Sequence, residues 1–243
     1  MGVAPCFYLS PEYWQSPLCL EGQEARHLAV LRLPVGAELR LLDGQGREGL
    51  CVIRNVRKNG VELELLSEKL HPAPTRRAIM VISWCKAIRR GFFLEKAVEL
   101  GVAEICCWQA RRSQGRMPEN LCVNWQGQLL AGAKQCGNPY LPLVRAFFGG
   151  AGELAPQAPE NRRILLLEPG QNRPLLQAGQ LGQEGSTLYL FGPEGGFDPQ
   201  EVELFLAAGY GAASLGERAL RWESAALVCL GLHYWAALLG GPK

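Results

Sequence analysis

Hydrophobic and polar positions follow one pattern before residue 72 and another after it. In the first part short alternating segments dominate. Leu39-Arg-Leu-Leu-Asp-Gly-Gln-Gly46 reads as a strand that closes in an Asp-Gly turn, Leu50 to Arg57 as a second strand, and Val61-Glu-Leu-Glu-Leu-Leu66 as a third. Asn59-Gly60 between the last two is a hairpin signal, because both residues tolerate positive φ. Glu24 to Leu33 has the spacing of a short helix. Strands of this length and spacing predict a small β-barrel over 1–72. His71-Pro-Ala-Pro74 punctuates the boundary.

From residue 73 to 243 strands and helices alternate. Ile79 to Trp84 predicts a strand, and Gly91 to Leu100 a helix with Phe92, Phe93, Ala97 and Leu100 turned inward and a stop at Gly101. Val102 to Trp108 is the next strand and Leu121 to Lys134 the next helix, while 149–162, rich in Gly, Ala and Pro, predicts a long loop. Arg163 to Leu167 and Thr187 to Phe191 are apolar runs of the kind buried on both faces. Asp198-Pro-Gln-Glu201 is a helix start with Asp as cap, Pro in the first turn and Glu at N3, and that helix ends near Gly209. Gly211 to Leu215 is the last strand, before a helix from about Glu223 to Leu239. The alternation predicts an α/β domain with a mostly parallel sheet. Trp108, Trp125 and Trp235 fall on apolar faces and are expected in the core. Ala225 to Leu239 is short for a membrane span of about 20 residues, so a buried terminal helix and no membrane partner are expected.

Composition narrows the classes. The chain has 243 residues, 48% hydrophobic and 20% charged, and its net charge is +2, which excludes a disordered chain and a polycation. Nine cysteines with no CxxC, and only three histidines, argue against a disulfide framework or a metal site and for reduced thiols in a cytoplasmic protein. No basic segment leading into an apolar one opens the chain, so no signal peptide is expected. The balance is uneven: residues 73–160 carry 11 basic and 6 acidic side chains, a net +5. Guanidinium forks suit phosphate. Arg111, Arg112 and Arg116, then Arg89 and Arg90, are the candidate RNA contacts, against the alternative of a solvated surface with a local surplus.

Two strand-to-helix loops carry the candidate chemistry. Phe191-Gly-Pro-Glu-Gly-Gly-Phe-Asp198 has neither the GxGxxG nor the P-loop spacing, and Glu194 within it disfavours a triphosphate. Its glycines permit close approach of a ligand to the backbone, though an ordinary tight turn reads the same way. Leu215-Gly-Glu-Arg-Ala-Leu-Arg-Trp-Glu-Ser-Ala225 places two arginines, two glutamates and a serine at the mouth of the last helix, where a plain helix start is the competing reading. Both loops leave carboxyl ends of strands, the place where open α/β sheets bind ligands.

Together these loops, with His27-Leu-Ala-Val-Leu-Arg-Leu33, Leu41-Leu-Asp-Gly44, Lys86 and Glu95-Lys-Ala-Val-Glu-Leu-Gly-Val102, give the chain a family resemblance along nearly its whole length. It resembles the RsmE family of SPOUT RNA methyltransferases, which methylate N3 of a uridine in 16S (small-subunit) ribosomal RNA. The resemblance implies a PUA-like barrel over 1–72, a SPOUT domain with a trefoil knot over 73–243, S-adenosylmethionine as methyl donor, and a homodimer. It implies a donor site at Leu167, Glu168, Gly192, Pro193, Glu194, Gly195, Gly196, Leu215, Gly216, Arg218, Ala219 and Leu220. Family members usually carry a Glu where Lys134 stands, an Arg at Asn138, a Thr at Ser224 and a smaller residue at Trp222. The first two changes remove a carboxylate and a guanidinium from the middle segment.

Uracil N3 must lose an imide proton before it can attack a methyl group. A cation that stabilises the resulting imidate, or a base that takes the proton, serves that step. Arg221 is the candidate cation and Glu223 the candidate base, the alternative being that Glu223 only favours the helix start. Two further functions stay open on the residues: an RNA-binding ribosome-assembly factor without turnover, and an enzyme acting on a free nucleotide.

Overall fold

The computed structural model describes residues 4–58, 60–85, 90–158, 160–170 and 173–240, so Asn59, Lys86 and Arg89 of the sequence reading lie outside the described residues. The chain divides into two compact units, Met1–Ala73 with Leu130–Leu141, and Pro74–Leu129 with Pro142–Lys243. The contiguous division expected at 72/73 does not anticipate that 130–141 clusters with the first unit.

The first unit contains β1 (Cys6–Tyr8), β2 (Leu18–Glu21), α1 (Gly22–Leu31), β3 (Glu38–Leu42), β4 (Arg47–Arg57) and β5 (Gly60–Leu70). They form one sheet in the order β1-β3-β4-β5-β2. Only β1 pairs in parallel, with β3; β4 and β5 form the expected hairpin, but Gly60 is not a turn residue at positive φ: it is the first residue of β5, paired opposite Arg57. Alternation puts Leu39, Leu41, Cys51, Ile53, Val61 and Leu63 inside, where Phe7, Leu20 and Leu28 complete the core. The short β1 and β2 were not read from sequence, because three or four residues carry too little period to register.

Two polar clusters stiffen this unit. Lys134 Nζ lies 2.7 Å from Glu24 Oε1, both side chains being mostly buried, and Glu24 Oε2 accepts from Tyr8 N at 3.1 Å. A carboxylate at 134 would face Glu24, so the departure from the family pattern forms an ion pair here. Asn138 Oδ1 accepts from Tyr140 N at 3.0 Å and shapes the turn. In the second cluster Arg40 Nε donates to Glu48 Oε1 at 2.7 Å, and His71 Nε2 lies 2.7 Å from Glu48 Oε2. Burial alone pushes the Glu48 carboxyl up, and the hydrogen bonds with His71 and Arg40 more than reverse it, so it titrates below 4.5. Tyr140 Oη donates to the His71 carbonyl at 2.7 Å.

The second unit contains β6 (Arg76–Ser83), α2 (Arg90–Glu99), β7 (Glu104–Trp108), α3 (Leu121–Cys136, its last turns counted with the first unit), β8 (Leu143–Phe147), α4 (Ala151–Leu154), β9 (Arg162–Leu166), β10 (Gly185–Phe191), α5 (Pro199–Ala207), β11 (Gly211–Ala213) and α6 (Trp222–Leu239). Six strands run in the order β11-β9-β10-β6-β7-β8, every pair parallel. The central strands are buried on both faces, as their unbroken apolar runs predict. The chain moves outward from β6 to β8 and then returns to the other side of β6, with β10 inserted between β6 and β9.

Several expectations change. β8 is an edge strand with alternating exposure, and its polar Arg145 hid it from an apolar reading. The expected loop 149–162 contains α4, whose Ala151 and Leu154 are buried. In α2 the inward set is Phe93, Leu94, Ala97 and Val98, whereas Phe92 is 55% exposed and Leu100 half-buried. Trp108 and Trp125 are core, but Trp235 is 61% exposed. The cause is α6: by length and composition it could cross a membrane, yet only the stripe of Trp222, Ala226, Cys229, Leu230 and His233 is buried against the unit, with Glu223 beside it. An apolar segment has no period that says which face is covered. None of the nine cysteines is in a disulfide.

Lys134→Ala leaves Glu24 half-desolvated without its cation and is expected to lower stability by about 1–3 kcal/mol, read as a fall in denaturation midpoint; Lys134→Glu is expected to cost more. Because the folded Glu48 carboxyl titrates below its unfolded value, its contribution is present above about pH 4.5 and is lost as pH falls through the folded value. The melting-temperature difference between Glu48→Gln and the parent should therefore be largest at neutral pH and shrink below pH 4.5; an equal difference at pH 7 and pH 3 contradicts this assignment.

Candidate active site

Three chain segments meet at the carboxyl ends of β9, β10 and β11. Residues 166–169 run from the last residue of β9, 191–197 from the last residue of β10, and 215–225 lead from β11 into α6, and together they line a cleft of about 690 Å³. Its size falls in the range of small-molecule sites, and it lies outside the carboxyl ends of strands, where open α/β sheets bind ligands.

The middle segment is held from below. Trp108, fully buried, donates its indole Nε1–H to the Phe191 carbonyl at 3.2 Å. Its ring stacks on Phe197 at 6.0 Å and meets Phe205 edge-on at 5.4 Å. Both ends of the Gly-rich loop are thus fixed on one side chain. Gly192 is required by this folding back: a Cβ there would stand 2.7 Å from the Phe197 ring. Gly196 turns the chain at φ +70, with its N–H donating to the Pro193 carbonyl at 2.8 Å. The loop then enters α5 through the expected capping box. Asp198 Oδ1 accepts from Gln200 N at 3.1 Å, and Glu201 Oε2 accepts from Asp198 N at 3.0 Å.

The third segment is anchored where Ser214 N donates to the Pro174 carbonyl at 2.8 Å and Leu176 N donates to the Ser214 carbonyl at 2.9 Å. Arg221 is the cap residue of α6 and is exposed, while Glu223 in the first turn is buried at 7% exposure. Between them Trp222 packs edge-on against Phe93 at 5.4 Å. The large side chain at 222 therefore fills the gap between α6 and α2.

Of the donor-site residues named from sequence, Leu167, Glu168, Gly192, Pro193, Glu194, Gly196, Leu215, Arg218, Ala219 and Leu220 line the cleft, and so do Arg221 and Glu223. Gly195 and Gly216 do not. Gly195 faces the outer side of the loop, where its Cβ would meet the Arg112 side chain at 3.5 Å, and Gly216 serves its backbone, at φ +122. Ser224 is exposed and also lies outside the lining. Leu166, Pro169, Phe191, Phe197, Trp222 and Ala225 also line the cleft, although none is among the donor-site residues expected from sequence. Leu166 and Phe191 are last residues of strands, a position that signals a ligand; Phe197 carries no signal, because it reaches the cleft only through packing, and Trp222 is marked in the sequence only as a departure from the family pattern.

The candidate RNA arginines separate. Arg111 and Arg112 lie on the loop after β7 and contact Asp198, and Arg116 on the same loop is exposed. Arg90 stacks on Trp84 with its guanidinium carbon 4.0 Å from the ring centre. Arg89 lies outside the described residues.

The chain matches the family model described as RNA methyltransferase domain over residues 71–234, and the RNA methyltransferase PUA domain over residues 20–66. A relative from Mycobacterium bovis, named Ribosomal RNA small subunit methyltransferase E, is 28% identical over 221 residues, covering 87% of this chain and 84% of its own length. The crystal structure of a Ribosomal RNA small subunit methyltransferase E from Neisseria gonorrhoeae bound to S-adenosyl methionine is similar with a TM-score of 0.81 at 28% identity, over 94% of this chain and 95% of that one. A putative methyltransferase from Legionella pneumophila in complex with the bound cofactor SAM gives 0.84 at 25% identity, over 97% and 98%. A family model that matches most of the chain, a PUA model on the first sheet and whole-length structural neighbours lead to one conclusion: the chain belongs to the RNA methyltransferase family of the RsmE type, with a PUA-like sheet followed by a SPOUT-type α/β domain.

Proposed function

We propose that this protein methylates N3 of a single uridine in small-subunit ribosomal RNA, with S-adenosylmethionine as donor. The observation that carries the reading is the cleft, where three segments from different strands bring apolar walls, open backbone at Gly192 and Gly196, and both signs of charge into one volume. That lining fits the donor's chemistry. Leu166, Leu167, Phe191, Leu215 and Leu220 suit a planar base and a thioether chain, while Glu168 and Glu194 suit cationic groups and Arg218 a carboxylate. When bound, the donor supplies an electrophilic methyl on a cationic sulfur. The substrate follows the relatives that carry the rRNA name.

The protein's own residues then have two tasks. The loop anchored at both ends on Trp108 sets position, which is a large part of the rate for an in-line displacement. Arg221, exposed at the cleft rim, stabilises the charge left on the uracil ring when the N3 proton departs. Glu223, buried beside it, takes or relays that proton. Arg89, Arg90, Arg111, Arg112 and Arg116 hold RNA phosphates. The reading includes a trefoil knot in the second unit, a cytoplasmic location, and a homodimer through α6, supported by the exposed stripe Val228, Leu232, Trp235 and Leu239.

Mass spectrometry of ribosomal RNA from a strain lacking the gene should show one 3-methyluridine lost, and its return on complementation; unchanged RNA would sink the proposal. Purified protein should methylate ribosomal RNA or small subunits and leave free uridine untouched. Arg221→Ala is expected to keep donor binding in calorimetry within about twofold while transfer falls by about 10² or more; full activity in that variant removes Arg221 from the mechanism.

A further inference from the structure

One face of the Gly-rich loop lines the cleft; the other is gripped by a segment far away in sequence. Residues 110–114, after β7, wrap the back of the loop. Arg111 N donates to Glu201 Oε1 at 2.8 Å. Arg111 Nη1 donates to Asp198 Oδ1 at 3.1 Å and also reaches Gln200 Oε1. Arg112 Nη1 donates to the Gly195 carbonyl at 3.2 Å, with Nη2 at 3.8 Å from Asp198 Oδ2. Gln114 Nε2 donates to Glu194 Oε2 at 3.2 Å, and Glu194 lines the cleft. The curve of the segment is itself fixed, since Ser113 N donates to the Ala110 carbonyl and Ser113 Oγ accepts from Ala110 N.

Arg111 and Arg112 nonetheless remain 59% and 47% exposed. A guanidinium has five N–H donors, and these contacts leave donors over for a phosphate. The same two side chains therefore hold the donor loop and offer RNA a grip.

Resting on the function proposed above, we propose that residues 111–114 form a strap coupling the two substrates: RNA phosphates on Arg111 and Arg112 tighten the donor site, and the donor tightens RNA binding in return, with Asp198 as the positioning residue between them. The crown of the loop is tied by exposed side chains, Arg112 to the Gly195 carbonyl and Gln114 to Glu194, so either ligand restrains it further and the second loses less freedom on binding. Linkage requires the two enhancements to be equal.

The test uses the full chain, S-adenosylhomocysteine as a donor probe that cannot transfer, and an unmodified in vitro transcript of small-subunit ribosomal RNA, at one fixed salt concentration. Saturating transcript should lower the Kd for S-adenosylhomocysteine by about 5- to 150-fold, and saturating S-adenosylhomocysteine should lower the Kd for the transcript by the same factor. Asp198→Asn keeps a side chain able to cap α5 but removes the charge that holds both arginines. It should leave each separate Kd within about threefold and bring the coupling factor towards 1, which a purely structural role for Asp198 would not do. Arg112→Lys, which keeps the charge but cannot fork between Gly195 and Asp198, should also lose coupling. Independent binding of both ligands in the parent, or coupling undiminished in both variants, overturns the strap and leaves the proposed function standing. No binding of S-adenosylhomocysteine at all overturns the function and the strap together.

Discussion

The cleft depends on one buried hydrogen bond with a ring around it. Trp108 donates its indole N–H to the carbonyl that ends β10, and its face supports Phe197, which ends the Gly-rich loop. Bonds of this kind contribute only about 1 kcal/mol net, but leaving the buried carbonyl unpaired costs more than that. The indole therefore sets where the loop leaves the sheet and where it returns. Gly192 follows from this, since Phe197 occupies the space any Cβ would take. The two ends of the loop are anchored in this way, while its crown is held from outside by the exposed side chains of Arg112 and Gln114.

The loop has two sides with different chemistry. Its inner side presents backbone and Glu194 to the cleft, and its outer side is an acceptor surface, the Gly195 carbonyl and Asp198, on which cations rest. Asp198 serves there twice, as cap of α5 and as counter-charge for Arg111 and Arg112. Charges at the rim are exposed and individually weak. Their value lies in placement.

In the first unit the polar clusters explain two departures from the family pattern. Lys134 lies against Glu24, and Asn138 holds the turn at Tyr140. Neither is spare for an RNA phosphate in this arrangement. Arg40, Glu48 and His71 form a second closed set beside them. Gly137 lies so close to Arg40 that a Cβ would stand 2.9 Å from its guanidinium.

The sequence by itself determined what is periodic or chemically local. The β4–β5 hairpin, the buried parallel strands, the Asp198 cap and the two glycine-bearing loops follow from patterns within a few residues of each other. The resemblance carried by those loops added a set of expected donor-site residues, most of which line one cleft. Tertiary structure alone decided the rest. That Gly195 backs onto Arg112 instead of the cleft depends on a segment more than eighty residues away. That Trp235 is exposed depends on which side of the almost wholly apolar α6 is covered, and that Phe92 is exposed depends on α2 turning Phe93, Leu94, Ala97 and Val98 inward. Lys134 became an ion-pair partner because residues 130–141 pack with the barrel strands. A chain records its local preferences in order; which face meets which neighbour is settled by burial and charge pairing, and these exist only once distant segments have come together.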